Sequence, residues 1–179
     1  MIKRIFQDID ECILHTVINT HPHETYVEFT LPGYDDGSLH TYRTIIRPCA
    51  KELFEYYNSV VGKENVYILT SATRDYAETL NRLGEFGLDN DHIFSREDIS
   101  KHSHSSAWSW SGESHQMAHP LADKDNVLID NLPQRYNTSK IDFMNIAFDN
   151  YHQTPEYYGV NYTDDPFFDN IKKFIQERV

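Results

Sequence analysis

The stretch at residues 2–14 constrains this chain more than any other. The apolar residues Ile2, Ile5 and Phe6 are typical of a buried β-strand, and they are followed by three carboxylates, Asp8, Asp10 and Glu11. Carboxylates this close repel one another, so such a strand end needs a cation or another compensating group. Because the side chains alternate as the strand ends, a turn between the two aspartates can bring both into one pocket.

The acidic strand end is open to two interpretations. One carboxylate could attack phosphorus while a second moves a proton, and together they could bind a hard cation through oxygen ligands. The alternative is an acidic loop after an edge strand. These residues alone leave both interpretations open.

Asp8 and Asp10, with Leu14 after them, resemble the first motif of the haloacid dehalogenase superfamily of phosphatases. Residues 8–15, DIDECILH, are similar to the Asp-x-Asp-Glu-Thr-Leu-Val-His signature of one branch. That branch contains the phosphatases of the RNA polymerase II C-terminal domain and their small relatives. Cys12 stands where the branch usually has Thr, which is a departure from the signature.

Length, charge and cysteine content narrow the class of protein. The 179 residues, without repeats or a low-complexity linker, predict a single domain over residues 1–179. The net charge of −12 disfavours extended binding to nucleic acid. The sequence has no apolar run of membrane-spanning length and no signal-peptide pattern, so no membrane contact is expected. Cys12 and Cys49 are interpreted as free thiols, which predicts a cytoplasmic protein.

A β insertion is predicted between the first strand and the first helix. Residues 26–30 and 42–46 alternate apolar and polar side chains around a turn-rich segment at 32–37, which predicts a hairpin. In the resembled branch a small β insertion here overhangs the active site, whereas a surface hairpin without substrate contact is the alternative. A helix is predicted to begin near Pro48, with an apolar face over residues 53–61.

The next apolar strand, at residues 65–69, ends in the hydroxyls of Thr70 and Ser71. A helix is predicted to follow, and a hydroxyl beside the amides of a helix N-terminus suits phosphate binding. An ordinary helix cap is the alternative. The resemblance places the second motif of the superfamily at Thr70. A short strand is also predicted at residues 92–95.

A further apolar strand at residues 125–130 ends in Asp130 and is followed by Asn131. This segment resembles the fourth motif of the superfamily, in the Asp-Asn-x-Pro-x-x-Tyr form of the small phosphatases. The resemblance implies that Asp130 completes the oxygen shell of a cation, whereas a solvated strand end is the alternative. One more strand is predicted at 144–148, and a last helix is predicted to begin at Pro166.

The superfamily also uses a lysine to neutralise charge at the phosphate, and no lysine stands at the matching place here. Lys101 follows the predicted strand at 92–95 on the correct edge of the sheet, so it is the predicted replacement. Lys124 would lie about 20 Å from the catalytic end of its strand, at about 3.3 Å per residue. An ordinary exposed lysine at position 101 is the alternative.

The segment at residues 101–123 carries four histidines, two tryptophans and no cysteine. Its histidines could bind zinc, but their spacing fits no closed structural zinc site. A loop held down by its tryptophans is the favoured interpretation.

These blocks together predict a three-layer, Rossmann-like α/β domain with a mostly parallel sheet and a small β-hairpin insertion after the first strand. Ligands then bind at the carboxyl ends of the strands. The resemblance implies a phosphoric monoester hydrolase that depends on Mg²⁺. The resemblance implies Asp8 as the nucleophile and Asp10 as the general acid and base. Thr70 and Ser71 are predicted at the phosphate, with Lys101 as the predicted replacement for the lysine of the superfamily. The implied metal ligands are Asp8, Asp130 and the main-chain carbonyl of Asp10, with Asn131 in support.

The substrate is the least determined part of this prediction. The branch resemblance indicates phosphoserine or phosphothreonine in a peptide, although a fold does not determine a substrate. A phosphatase of nucleotides or small metabolites is one alternative. A degenerate phosphatase that only binds a phospho-ligand or a protein is another, and Cys12 and the displaced lysine are the features that favour it.

Overall fold

A computed structural model describes residues 1–20, 22, 25–33, 37–100, 125–131, 150–159 and 166–179. The strands are β1 (Arg4–Gln7), β2 (Leu14–Ile18), β3 (Val27–Pro32), β4 (Leu39–Ile46), β5 (Val66–Leu69), β6 (Ile93–Phe94), β7 (Asn126–Asp130) and β8 (Asn150–Gln153). The helices are α1 (Ala50–Val61), α2 (Arg74–Leu83), α3 (Arg96–Ser100) and α4 (Phe167–Gln176), with short 3₁₀ turns at Lys63–Asn65 and Asn90–His92.

The central sheet has five parallel strands in the order β6-β5-β1-β7-β8. β1 lies in the middle, where Ile5 pairs with Val66 on one side and with Val127 on the other. All five residues of β7 are buried, as expected for a parallel strand covered on both faces. The prediction of a Rossmann-like α/β domain with a mostly parallel sheet is confirmed.

The helices contribute their apolar faces to one core with this sheet. Leu53 and Tyr57 of α1, Leu80 of α2 and Ile171 of α4 are all buried in a single cluster with the strand residues. Buried side chains recur every three or four residues along each helix, as Leu53 and Tyr57 do in α1, so one face of each helix is apolar. The helix predicted near Pro48 begins two residues later, at Ala50.

The insertion after β1 is a separate antiparallel sheet of three strands in the order β2-β4-β3. The predicted hairpin corresponds to β3 and β4, which pair from Val27 opposite Thr44 to Pro32 opposite Leu39. The third strand, β2, was not predicted from the sequence, and it pairs with β4 along its whole length. The insertion is therefore larger than a hairpin, and it begins directly after the acidic motif.

A tight turn carries the chain from the central sheet into the insertion sheet. The main-chain amides of Cys12, Ile13 and Leu14 all lie within 3.0–3.3 Å of the carbonyl oxygen of Ile9. Glu11 has φ of 56°, in the left-handed region that few non-glycine residues adopt. This turn places Asp10 at the junction of the two sheets.

One predicted strand and one observed helix differ from the elements given above for the sequence. The strand predicted at residues 144–148 lies outside the described residues, and the structure shows β8 just after it. Helix α3 was not predicted. Within the described part of the chain, every helix is too short or too polar to span a bilayer.

Candidate active site

Two acidic side chains meet at the carboxyl edge of the central sheet. Asp8 follows β1 directly, and Asp130 is the last residue of β7. The amide of Asp8 donates a hydrogen bond of 2.9 Å to the carbonyl oxygen of Ile129. Because Gln7 pairs with Ile129, the next step of the parallel ladder places Asp8 beside Asp130. Both side chains are buried.

The thiol of Cys12 lies close to both carboxylates. Burial raises the pKa of Cys12 well above its usual range, and the charges of Asp8 and Asp130 raise it further, while Arg47 acts in the opposite direction. A buried thiol with a raised pKa is a poor nucleophile, because the thiolate is the reactive form. Asp8, Asp130 and Arg47 therefore all lie near enough to the Cys12 thiol to influence its pKa.

Arg47 brings a positive charge into this part of the core. Its side chain is almost completely buried, with its guanidinium carbon 3.7 Å from the ring centre of Phe167 and 4.5 Å from that of Tyr157. Its amide donates a 2.9 Å hydrogen bond to the carbonyl oxygen of Ile13. Stacking thus positions the guanidinium, and the main-chain hydrogen bond places Arg47 next to the acidic turn.

The side chain of Gln7 holds the end of β1 in place. Its amide nitrogen donates to the carbonyl oxygen of Asp8 at 2.7 Å and contacts the sulfur of Cys12 at 3.1 Å. Its carbonyl oxygen accepts a 2.7 Å hydrogen bond from the hydroxyl of Tyr57. Gln7, Cys12 and Tyr57 are fully buried, so this is an internal polar network.

Thr154 connects the same network to the end of β7. Its hydroxyl lies 3.1 Å from the sulfur of Cys12, and its amide donates to the carbonyl oxygen of Asp130 at 2.9 Å. Neither Gln7 nor Thr154 was predicted from the sequence as part of this site. A polar residue directly before an acidic motif in an apolar strand was the available signal for Gln7, whereas nothing in the sequence near Thr154 indicated a contact across 142 positions.

Asp10 has surroundings different from those of Asp8. The hydroxyl of Tyr76 donates to its Oδ1 at 2.6 Å. Burial raises the pKa of Asp10 to about 6; the Tyr76 hydrogen bond opposes this rise, nearby Glu11 adds to it and His15 opposes it. A carboxyl group with such a pKa can both release and accept a proton near neutral pH.

Glu11 and His15 form a partly buried pair beside Asp10. Nδ1 of His15 lies 2.9 Å from both carboxylate oxygens of Glu11. Burial raises the pKa of Glu11, and the interactions with His15 oppose that rise. The pair therefore connects the turn to β2, which contains His15.

Thr70 follows β5 on the other side of β1, and its side chain is buried. Its hydroxyl oxygen accepts a 3.1 Å hydrogen bond from the amide of Ala72, so its own proton can be donated elsewhere. The carbonyl oxygen of the adjacent Ser71 accepts a 2.7 Å hydrogen bond from Nε of Arg96. The amide of Arg74, at the start of α2, is occupied by the side chain of Glu97 at 2.8 Å. A phosphate group at this edge would therefore depend more on Thr70 than on that amide.

The residues at the strand ends fit a magnesium ion in their chemistry. Asp8 and Asp130 offer buried carboxylates side by side, and the main-chain carbonyl of Asp10 would make the donor set entirely oxygen. Within the described ranges, no three His, Cys, Asp or Glu side chains form a group that could hold a metal. A bound Mg²⁺ would thus need main-chain and water ligands in addition to two carboxylates.

The structure brings some of the predicted site residues together and not others. Asp8 and Asp130 are neighbours, and Asp10 lies two residues further on, in contact with Tyr76. Asn131 is buried next to Asp130, and its carbonyl oxygen accepts a 3.2 Å hydrogen bond from Gln153. Lys101 and the histidine-rich segment at 101–123 lie outside the described residues. The chemical roles assigned to these residues stay predictions.

Solved structures share this fold. A structure of Fcp1, described as an essential RNA polymerase II CTD phosphatase, has a TM-score of 0.61 and 16% identity, with 98% of this chain and 48% of that chain covered. A variant of fission yeast Fcp1 bound to beryllium fluoride has a TM-score of 0.58 and 15% identity, with 99% of this chain and 50% of that chain covered. The chain thus spans about half the length of these solved relatives. No curated protein sequence matches it.

The model of one protein family covers almost the whole chain. It describes NLI interacting factor-like phosphatases and matches residues 3–177. The predicted resemblance to phosphatases of the C-terminal-domain branch is confirmed by this match and by the Fcp1 structures. The predicted class of enzyme, a phosphoric monoester hydrolase, is confirmed at the level of the family. The chain belongs to the NLI interacting factor-like phosphatase family.

Proposed function

We propose that this chain is a magnesium-dependent phosphatase that hydrolyses a phosphomonoester through an aspartyl phosphate on Asp8. One observation carries the proposal: the buried residues Asp8 and Asp130 occupy adjacent positions on neighbouring strands at the carboxyl edge of a parallel sheet. Ligands of such sheets bind at this edge. The family match supports the same reaction class.

Asp8 is the nucleophile in this proposal. One of its carboxylate oxygens bonds to phosphorus while the bond from phosphorus to the leaving oxygen breaks. The hydrogen bonds from Gln7 to the carbonyl of Asp8, and from the amide of Asp8 to Ile129, fix the backbone on both sides of the nucleophile. This fixed backbone lowers the cost of aligning the carboxylate with phosphorus.

Asp10 moves the protons. It gives a proton to the leaving oxygen as that oxygen departs, and it then accepts a proton from the water that hydrolyses the aspartyl phosphate. Its position two residues after Asp8 and its contact with Tyr76 support this assignment.

Thr70 and Ser71 bind the phosphoryl oxygens in this proposal, and Lys101 is assigned to them from the sequence. Thr70 can donate its hydroxyl proton because its oxygen already accepts from Ala72. Mg²⁺, when held by Asp8, Asp130 and the carbonyl of Asp10, supplies positive charge against the phosphoryl oxygens.

We assign a phosphoserine or phosphothreonine peptide as the substrate. The solved relatives are described as phosphatases of the RNA polymerase II CTD, which supports a peptide substrate for this chain. The insertion sheet begins within a few residues of Asp10, so a surface for a peptide borders the proposed site. The net charge of −12 disfavours a nucleic-acid substrate.

The nucleophile is tested by Asp8→Asn in an assay with an aryl phosphate. Asp125→Asn is the matched control, because Asp125 precedes the opposite end of β7 and pairs with Lys3 on the surface. Asp8→Asn should abolish turnover while circular dichroism shows a folded protein, and Asp125→Asn should keep wild-type turnover. Wild-type turnover in Asp8→Asn would refute the nucleophile.

A substrate panel separates the remaining functions. It compares phosphoserine and phosphothreonine peptides with nucleoside monophosphates and sugar phosphates at equal concentration. The proposal expects the peptides to have the highest kcat/KM, and a preference for nucleotides or sugars would contradict it. Binding of a phosphopeptide without any turnover would instead indicate a binding module.

A further inference from the structure

A line of hydroxyl groups runs from Asp10 into the insertion sheet. The hydroxyl of Tyr76 donates to Oδ1 of Asp10 at 2.6 Å, and the hydroxyl oxygens of Tyr76 and Thr16 are 2.7 Å apart. Thr16 and Thr44 form a pair across β2 and β4, with their hydroxyl oxygens also 2.7 Å apart. Helix α2 and two strands of the insertion sheet are thus connected to one carboxyl group.

The tyrosine at the centre of this line cannot move freely. Tyr76 is buried, and its ring centre lies 5.5 Å from that of Tyr42 and 5.9 Å from that of Phe29. Thr44, at the far end, is completely buried. Because the rings fix the position of the hydroxyl, the hydroxyl fixes the position of the carboxyl group.

The number of hydroxyl protons determines which group donates and which accepts in each hydrogen bond of this line. A hydroxyl carries a single proton, so Tyr76 can donate only once. Oδ1 of Asp10 can accept that proton when the group is ionised and also when its acidic proton is on Oδ2. The short contact with Thr16 is then a hydrogen bond that Tyr76 accepts, and Thr16 in turn accepts from Thr44. All three hydroxyls are used in holding the carboxylate, and the line ends inside the insertion sheet.

We propose that Tyr76 is the positioning residue of Asp10, with Thr16 and Thr44 extending its support into the insertion sheet. The inference rests on the proposed function, in which Asp10 protonates the leaving oxygen as its bond to phosphorus breaks. Tyr76 exchanges no proton with the substrate. It holds the carboxyl group where that proton can be transferred. The geometry of proton transfer therefore depends on the position of the insertion sheet.

The test uses Tyr76→Phe, which keeps the packed ring and removes only the hydroxyl. Phenyl phosphate has a leaving oxygen that needs a proton, whereas the oxygen of 4-nitrophenyl phosphate leaves with little protonation. Tyr76→Phe should lower kcat for phenyl phosphate about 10- to 100-fold with little change in KM, since general acid catalysis and alignment contribute on this order. The loss for 4-nitrophenyl phosphate should be much smaller. Thr16→Val should show the same preference with a smaller loss.

Tyr42→Phe is the matched control, because it removes a hydroxyl from the same group of rings and leaves the contact between Tyr76 and Asp10 in place. It should keep wild-type values for both esters. An equal loss for both esters in Tyr76→Phe, no loss, or the same loss in Tyr42→Phe would overturn the inference.

If the proposed function is wrong, the wild-type protein should turn over neither ester. This result distinguishes failure of the proposed function from failure of the inference about Tyr76. Crystal structures of the wild type and Tyr76→Phe decide the inference in that case. A carboxyl group of Asp10 that leaves its wild-type position supports positioning by Tyr76. A carboxyl group that stays in place overturns it.

Discussion

The hydroxyl of Tyr57 donates a 2.7 Å hydrogen bond to Oε1 of Gln7, and both side chains are completely buried. This contact connects the middle of α1 to the last residue of β1. The amide of the same glutamine donates to the carbonyl oxygen of Asp8. A helix of the core is therefore tied, through one side chain, to the backbone of the proposed nucleophile.

Tyr57→Phe should destabilise the protein. The substitution keeps the ring but leaves Oε1 of Gln7 buried without this donor, which costs about 1–3 kcal/mol. Urea unfolding measures the change in the free energy of unfolding. Tyr56→Phe is the control, because the hydroxyl of Tyr56 makes only a 3.4 Å contact with the carbonyl oxygen of Lys172 and should cost less. Equal losses in the two variants would contradict the importance of the Gln7 contact.

Thr70→Val should reduce phosphatase activity through loss of a hydrogen-bond donor to the phosphoryl group. The expected fall in kcat/KM is about ten- to a hundred-fold, on the scale of one hydrogen bond to a charged group. Steady-state kinetics with an aryl phosphate measures it. Thr79→Val, within α2, is the control and should keep wild-type kinetics. Unchanged kcat/KM in Thr70→Val would remove this residue from the site.

Asp98 should contribute to stability in a pH-dependent way. Burial acts to raise the pKa of Asp98, but hydrogen bonds from Ser95 and the charge and hydrogen bond of Arg74 outweigh burial and leave the pKa below its ordinary value of 3.8. Because the folded-state pKa lies below the unfolded-state pKa, this contribution is full above the ordinary value and is lost as the pH falls through the folded-state pKa.

The difference in unfolding free energy between the wild type and Asp98→Asn should therefore be largest at neutral pH and should shrink below pH 3.8. Urea unfolding at several pH values measures it. Asp91→Asn, at an exposed position, should change stability little at any pH. A difference for Asp98→Asn that stays constant with pH would contradict the assignment.

Removal of divalent metal should stop turnover if Asp8 and Asp130 hold Mg²⁺. Dialysis against a chelator should abolish activity, and added Mg²⁺ should restore it. A second readout needs no substrate: Mg²⁺ should raise the Tm of the wild type and of Asp125→Asn, but much less that of Asp130→Asn. Full activity after chelation, or an equal rise in Tm for all three proteins, would exclude this metal site.

The order of strands and helices could be predicted because their apolar patterns are local. Residues 66–69 and 127–129 form continuous apolar runs, which are typical of buried strands, and the polar residues that follow them indicate the carboxyl edge of the sheet. The sequence therefore predicted which residues lie at the strand ends. The single-domain extent over residues 1–179 and the cytoplasmic location stay predictions.

Contacts between distant segments could not be predicted in the same way. Gln7 interrupts the apolar pattern of β1, and its burial depends on Tyr57 and Cys12, which the local sequence does not connect to it. β2 follows the acidic turn so closely that its five residues were not separated from the motif. β8 is mostly polar, with the sequence NYHQ, and it is a strand because it pairs with β7.

The formation of a phosphoryl bond to Asp8 is the central claim, and it can be measured directly. The protein is mixed with an aryl phosphate, quenched during turnover and reduced with borohydride, which converts an aspartyl phosphate to homoserine. Peptide mass spectrometry then locates the modified residue. The account predicts homoserine at position 8 and none in Asp8→Asn. Wild-type turnover with an unmodified Asp8, or homoserine at another aspartate, would contradict it.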